Sequence, residues 1–80
     1  MKPVKFGIST GSVYFPDVDR LEDLGYDSVW TGEHVFFYGD TLDAPTVMAA
    51  WAARSKRIQL GSGIILLPLR PPAITAKVIQ

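Results

Sequence analysis

The chain has no cysteine, only one histidine, no net charge and no long run of large aliphatic residues. Without cysteine there is neither a disulfide framework nor a thiolate metal site, and the composition suits a reducing, cytoplasmic setting. Eight basic residues against eight acidic ones leave no field to gather nucleic acid or to hold the chain on an anionic membrane. The longest run of large aliphatic residues, Ile64-Ile65-Leu66-Leu67, falls far short of the roughly 20 residues of a membrane span, and no signal-peptide core precedes it. The expected partner is a small molecule, not a nucleic acid or a membrane. Against these absences stand 48% hydrophobic and 20% charged residues over 80 positions, a balance that folds around a core.

Val4-Lys5-Phe6-Gly7-Ile8-Ser9 alternates large apolar with small or polar residues, the period of a first strand. Gly11 and Pro16 break the pattern into a loop. Asp17 then caps a short helix marked by Val18, Leu21 and Leu24 and ended by Gly25 at the C′ position. Asp27-Ser28-Val29-Trp30-Thr31 reads as a second strand, rich in β-branched and aromatic residues. Asp43 and Pro45 signal the next helix, with Val47, Met48, Trp51 and Ala52 as its apolar stripe and Arg54, Lys56 and Arg57 at its negative end. A third strand starts at Ile58-Gln59-Leu60-Gly61 and is expected to run through Ser62 and Gly63 to Leu67, its glycines marking a bulge or a close ligand approach. Pro71-Pro72 opens a third helix with Ile74 and Val78 on one face. Strand, helix, strand, helix, strand, helix with short connections predicts an α/β fold, parallel strands joined by right-handed crossovers, in one domain or part of one over residues 1–80.

Parallel α/β folds bind ligands at the C-terminal ends of their strands. That rule selects Ser9 to Gly11, Gly32 to Tyr38 and Ser62 to Leu67. His34, preceded by Glu33, stands in the middle segment, where an imidazole suits acid-base or hydrogen-bonding work. A lone histidine beside a carboxylate is also an ordinary structural pair. Glu33, His34, Asp40 and Asp43 are too poor in nitrogen ligands for catalytic zinc. Gly61-Ser62-Gly63 runs into an apolar strand, which excludes a nucleophile elbow and a phosphate loop. Phe36, Phe37 and Tyr38 suit the wall of a pocket or a loop packed over the rim, and Trp30 and Trp51 read as packing residues.

Gly25-Tyr26-Asp27-Ser28-Val29-Trp30-Thr31-Gly32-Glu33-His34, the block from Ala50 to Gly63 and the segment Leu67-Pro68-Leu69-Arg70-Pro71-Pro72-Ala73 together resemble the luciferase-like, flavin- or coenzyme F420-dependent oxidoreductases. The resemblance implies the first three βα units of a (β/α)₈ TIM barrel, an incomplete barrel, with a cofactor ring at the strand ends. It implies coenzyme F420, with FMN as the alternative, from the Glu33-His34 pair that would close the second strand. The F420-dependent branch more often carries aspartate where Glu33 stands. The resemblance also gives His34 and Glu33 catalytic parts, places Ser9, His34, Ser62, Gly63 and Ile64 at the cofactor, and sets Tyr38 in the substrate pocket. A non-prolyl cis peptide behind the ring would fall at Gly63 and Ile64.

Two functions compete. One is an oxidoreductase passing a hydride between a (deaza)flavin and a small organic substrate. The other is a catalytically silent fragment that only self-associates or complements a partner. A metal-dependent hydrolase on the same barrel is disfavoured by its ligand count. Two strand edges left open by an incomplete barrel, with apolar residues expected on the inner sheet face, predict a homo-oligomer.

Overall fold

A computed structural model describes residues 3–10, 18–35 and 42–80. In chain order it contains β1 (Gly7–Ser9), α1 (Val18–Asp23), β2 (Ser28–Thr31), α2 (Ala44–Arg54), β3 (Gln59–Ser62), a single 3-10 turn at Leu67–Leu69, and α3 (Pro72–Ile79). The three strands form one parallel sheet in the order β1-β2-β3, the arrangement that right-handed strand-helix-strand connections produce.

Strand boundaries follow from where backbone donors are diverted. The Phe6 amide donates to the Asp27 carboxylate at 2.8 Å and Asp27 N donates to the Phe6 carbonyl at 2.8 Å. The ladder therefore starts at Gly7, and the expected strand from Val4 is cut by three residues, with Val4 and Phe6 exposed. β3 stops at Ser62 and does not continue to Leu67. Its extension is interrupted by a non-prolyl cis peptide between Gly63 and Ile64, and the Leu66 amide is drawn to the Glu33 side chain.

The helices close as their sequences direct. α1 ends in a Schellman pattern, with Gly25 N on the Glu22 carbonyl at 3.1 Å and Tyr26 N on the Leu21 carbonyl at 3.2 Å, a geometry that needs the positive φ of 94° found at Gly25. Leu24 is thereby turned out to solvent and leaves the expected stripe. Asp17, the expected cap, lies outside the described residues. α2 begins at Asp43, whose carboxylate accepts from Thr46 N at 3.1 Å and Thr46 Oγ1 at 2.7 Å, with Pro45 in the first turn. A second carboxylate ties α1 to the turn before β3: Glu22 accepts from the consecutive amides of Lys56, Arg57 and Ile58.

The core lies on one side of the sheet. Val18, Val29, Val47, Trp51 and Ile58 are buried there, flanked by Ile8, Leu21, Tyr26, Met48 and Leu60, while Ala52 faces out. The opposite, inner face is not apolar as expected. Strand alternation gives it Gly7, Ser9, Ser28, Trp30, Gln59 and Gly61, so Trp30 is its one large apolar residue. On α3 only Thr75 is buried, with Ile74 and Val78 more than half exposed. Among the described residues no helix is long and apolar enough to cross a membrane.

Candidate active site at the strand ends

The parallel register aligns Ser9 with Trp30, Trp30 with Gly61 and Thr31 with Ser62, so the three strands end at one rim. Thr10 N donates to the Trp30 carbonyl at 2.9 Å and Gly63 N to the Thr31 carbonyl at 2.7 Å, carrying the pairing just past the strand ends. Glu33 and His34 follow β2 at this rim, and the Gly63–Ile64 cis peptide follows β3. The two segments are joined directly, because Glu33 N donates to the Ile64 carbonyl at 3.1 Å.

Glu33 is buried, at 6% exposure. Its Oε1 accepts from Leu66 N and Arg70 Nη2, and its Oε2 from Ala44 N and Arg70 Nη2, all at 2.8 Å. One carboxylate thus joins the end of β2, the first residue of α2 and the segment after β3. Burial pushes the Glu33 carboxyl up, but the Arg70 guanidinium and the two amides outweigh it and hold the group below the ordinary glutamate value. Arg70 also donates to Asp43, so Glu33 and Asp43 share one cation. The Asp43 carboxyl is held below its usual range by the Thr46 hydroxyl first, with Arg70 and the Thr46 amide adding to it. No role for Arg70 followed from the sequence; its signal was a lone cation after an apolar stretch, opposite two acids.

His34 is exposed and lines a cavity of about 290 Å³ with Glu33, Leu42, Asp43, Leu66, Leu69 and Arg70. The site residues expected from sequence are divided. Ser9 lies on the inner side of the rim and Gly63 and Ile64 beside Glu33, whereas Ser62 turns the other way, into an apolar cleft of about 490 Å³ with Met48, Leu60 and Val78. Tyr38 lies outside the described residues. The arrangement offers an imidazole at an open rim, backed by a carboxylate whose oxygens are already engaged.

A family model of luciferase-like monooxygenases matches residues 18–79, which include every element from α1 onward. The chain belongs to this family. It is 39% identical over 57 residues to a 4-hydroxyprotoasukamycin monooxygenase of Streptomyces nodosus subsp. asukaensis, covering 70% of this chain and 15% of that protein. It is 38% identical over 60 residues to a limonene 1,2-monooxygenase of Rhodococcus erythropolis, covering 74% and 16% respectively. The matched part of this luciferase-like chain thus spans about one-sixth of those relatives. No solved structure matches it significantly.

Proposed function

We propose that the chain supplies part of the active site of a flavin-type oxidoreductase acting on a small organic substrate, with coenzyme F420 as cofactor and FMN as the alternative. The observation that carries this reading is the juxtaposition at one rim of exposed His34 with the Gly63–Ile64 segment, held together through Glu33. The residues present fit a flat ring. A Cβ added at Gly32 would lie 2.6 Å from the Gly63 carbonyl oxygen, so the segments after β2 and β3 meet backbone to backbone at that point. Ser9, His34 and the backbone of Gly63 and Ile64 would hold the ring. Bound there, it would supply two-electron transfer to or from the substrate. His34 would hydrogen-bond or exchange a proton at the reacting centre. Glu33 is a positioning residue in this reading, because its lone pairs are spent on Ala44, Leu66 and Arg70. Closure of a (β/α)₈ barrel around the site and residence in the cytoplasm belong to the same proposal.

Optical titration of the chain with coenzyme F420 and, separately, with FMN tests it. A saturable spectral change with one of them, weakened in His34→Ala, is expected; no binding of either overturns the reading.

A second reading, a silent chain that self-associates into a homo-oligomer or complements a partner, is favoured by a different observation. β1 and β3 each pair on one side only among the described residues, and Ile64, Leu67, Leu69, Ile74, Val78 and Ile79 are all more than half exposed. Open edges and apolar patches recruit other chains. Sedimentation decides it: oligomers that bind neither coenzyme favour the second reading, and a coenzyme-binding monomer excludes it.

A further inference from the structure

The two tryptophans have opposite surroundings. Trp51 is 1% exposed in the core, whereas Trp30, on the central strand, is 44% exposed on the inner sheet face. Its indole lies along the sheet. Nε1 donates to Ser28 Oγ at 2.9 Å, which fixes the ring's rotation, and both neighbouring strands make room for it. A Cβ at Gly7 would run first into Ser28 Oγ and then lie 3.0 Å from Nε1, and one at Gly61 would lie 2.5 Å from Cε3. Glycine on either side is therefore what lets the indole spread flat from β1 to β3.

Among the described residues, those towards the rim from that ring are small. Ser9 stands level with Trp30 in the register, and Gly32 and Gly63 come directly after β2 and β3. The Cβ position of Gly63 is 4.0 Å from Trp30 Cε3, so the indole edge adjoins the residue that precedes Ile64. A broad, pinned aromatic surface with, among the described residues, only small ones between it and the strand ends is matched to a flat aromatic partner, since offset-stacked rings attract beyond the area they bury.

We propose that the exposed indole of Trp30, on the sheet face before the strand ends and not in the cavity that His34 lines, is a floor on which the planar ring of a flavin or deazaflavin is seated. This rests on the function proposed above and adds a residue that sets which ligands fit: planar ring systems lie on the floor, and bulky non-planar ones are excluded by it. The competing role is that of a filler between layers of a barrel interior, which would leave Trp30 indifferent to the ligand.

The test is FMN emission on titration with the chain. Indole in van der Waals contact quenches a flavin by electron transfer, which falls steeply with distance. We expect bound FMN to be strongly quenched by the wild-type chain, and Trp30→Leu to restore its emission while weakening affinity by about three- to tenfold, the worth of one aromatic pair. Gly61→Ala, which retains the indole but forces it off the sheet, should restore emission likewise. Far-UV circular dichroism identifies a variant that has not folded, and the other then carries the test. Binding and quenching unchanged in a folded variant overturn the floor alone. Failure of the wild-type chain to bind either FMN or coenzyme F420 overturns the function proposed above, and the floor with it.

Discussion

Replacing Glu33 with glutamine keeps the side chain's shape and removes its charge and one acceptor. Four hydrogen bonds arrive at the two carboxylate oxygens, with Leu66 N on one, Ala44 N on the other and Arg70 Nη2 reaching both. An amide group can accept at one end only. In either orientation one backbone N–H, that of Ala44 or of Leu66, is left facing an NH₂ group in a site where Glu33 is 6% exposed. Losing one hydrogen bond to a charged, buried acceptor costs about 2 kcal/mol. The larger penalty of stranding one member of a buried ion pair is not incurred, because Arg70 keeps Asp43 and is 22% exposed. For a chain of this size about 2 kcal/mol lowers the thermal midpoint by roughly 10 °C. Thermal unfolding by circular dichroism reads the midpoint, and amide hydrogen exchange reads Ala44 and Leu66 individually; one of the two should exchange faster. A midpoint within about 2 °C of wild type, with both amides protected as before, would refute the view that Glu33 holds the rim together.

Acid should unfold the chain through the same kind of group. Glu22 is held below the ordinary carboxylate value by the Ile58 amide first and then by those of Arg57 and Lys56, and Asp43 and Glu33 are held below it as well. A depressed folded value means stabilisation that is complete above the ordinary carboxylate range and is lost as pH falls through the folded values. Stability measured by urea titration should therefore decline on the acid side, and Glu22→Gln should make that decline shallower; an unchanged profile in that variant would remove Glu22 from the account. At the end of α1, Gly25→Ala places a Cβ on a residue with φ of 94° and should cost about 1 kcal/mol, seen as a lower urea midpoint with unchanged slope.

Much of the fold was legible because it rests on local signals. The Asp43 cap, Pro45 in the first turn, the C′ glycine at Gly25 and the order of strands and helices are all short-range patterns, and the structure carries each of them. Strand lengths were not legible, because they depend on where distant side chains divert backbone amides. Asp27 takes the amide of Phe6 and Glu33 that of Leu66, and no pattern along the chain announces either. The same holds within the site. The position of His34 at a strand end follows from element order alone, but the use of Glu33 does not, because it depends on Arg70, 37 residues away. Ser62 shows the limit of counting along a strand. It stands at the rim, as expected, but one residue's shift in parity turns its side chain to the helix side, into the cleft with Met48 and Val78.

The two faces of the sheet explain why the core and the site can be read apart. On the helix side Val29, Ile8 and Leu60 are covered by α1 and α2, and this burial is what makes the chain fold. A fully packed interior on the other side would call for branched aliphatic residues in layers. The strands carry glycine and serine there, with Trp30 and Gln59. Gly7 and Gly61 make room for the Trp30 indole and for Ser28, whose hydroxyl accepts from its Nε1, so the small residues on these strands serve one exposed ring and not an aliphatic core. What they leave exposed is the outer face of that ring, on the strand before the rim that His34, Gly63 and Ile64 form. Other exposed apolar residues include Leu67 and Leu69 after β3 and Ile74, Val78 and Ile79 on α3, besides Val4, Phe6, Leu24, Val35, Leu42 and Ile64. Self-association can therefore draw on the segment after β3 and on α3, while the flat molecule proposed above would lie on the inner face over the indole of Trp30.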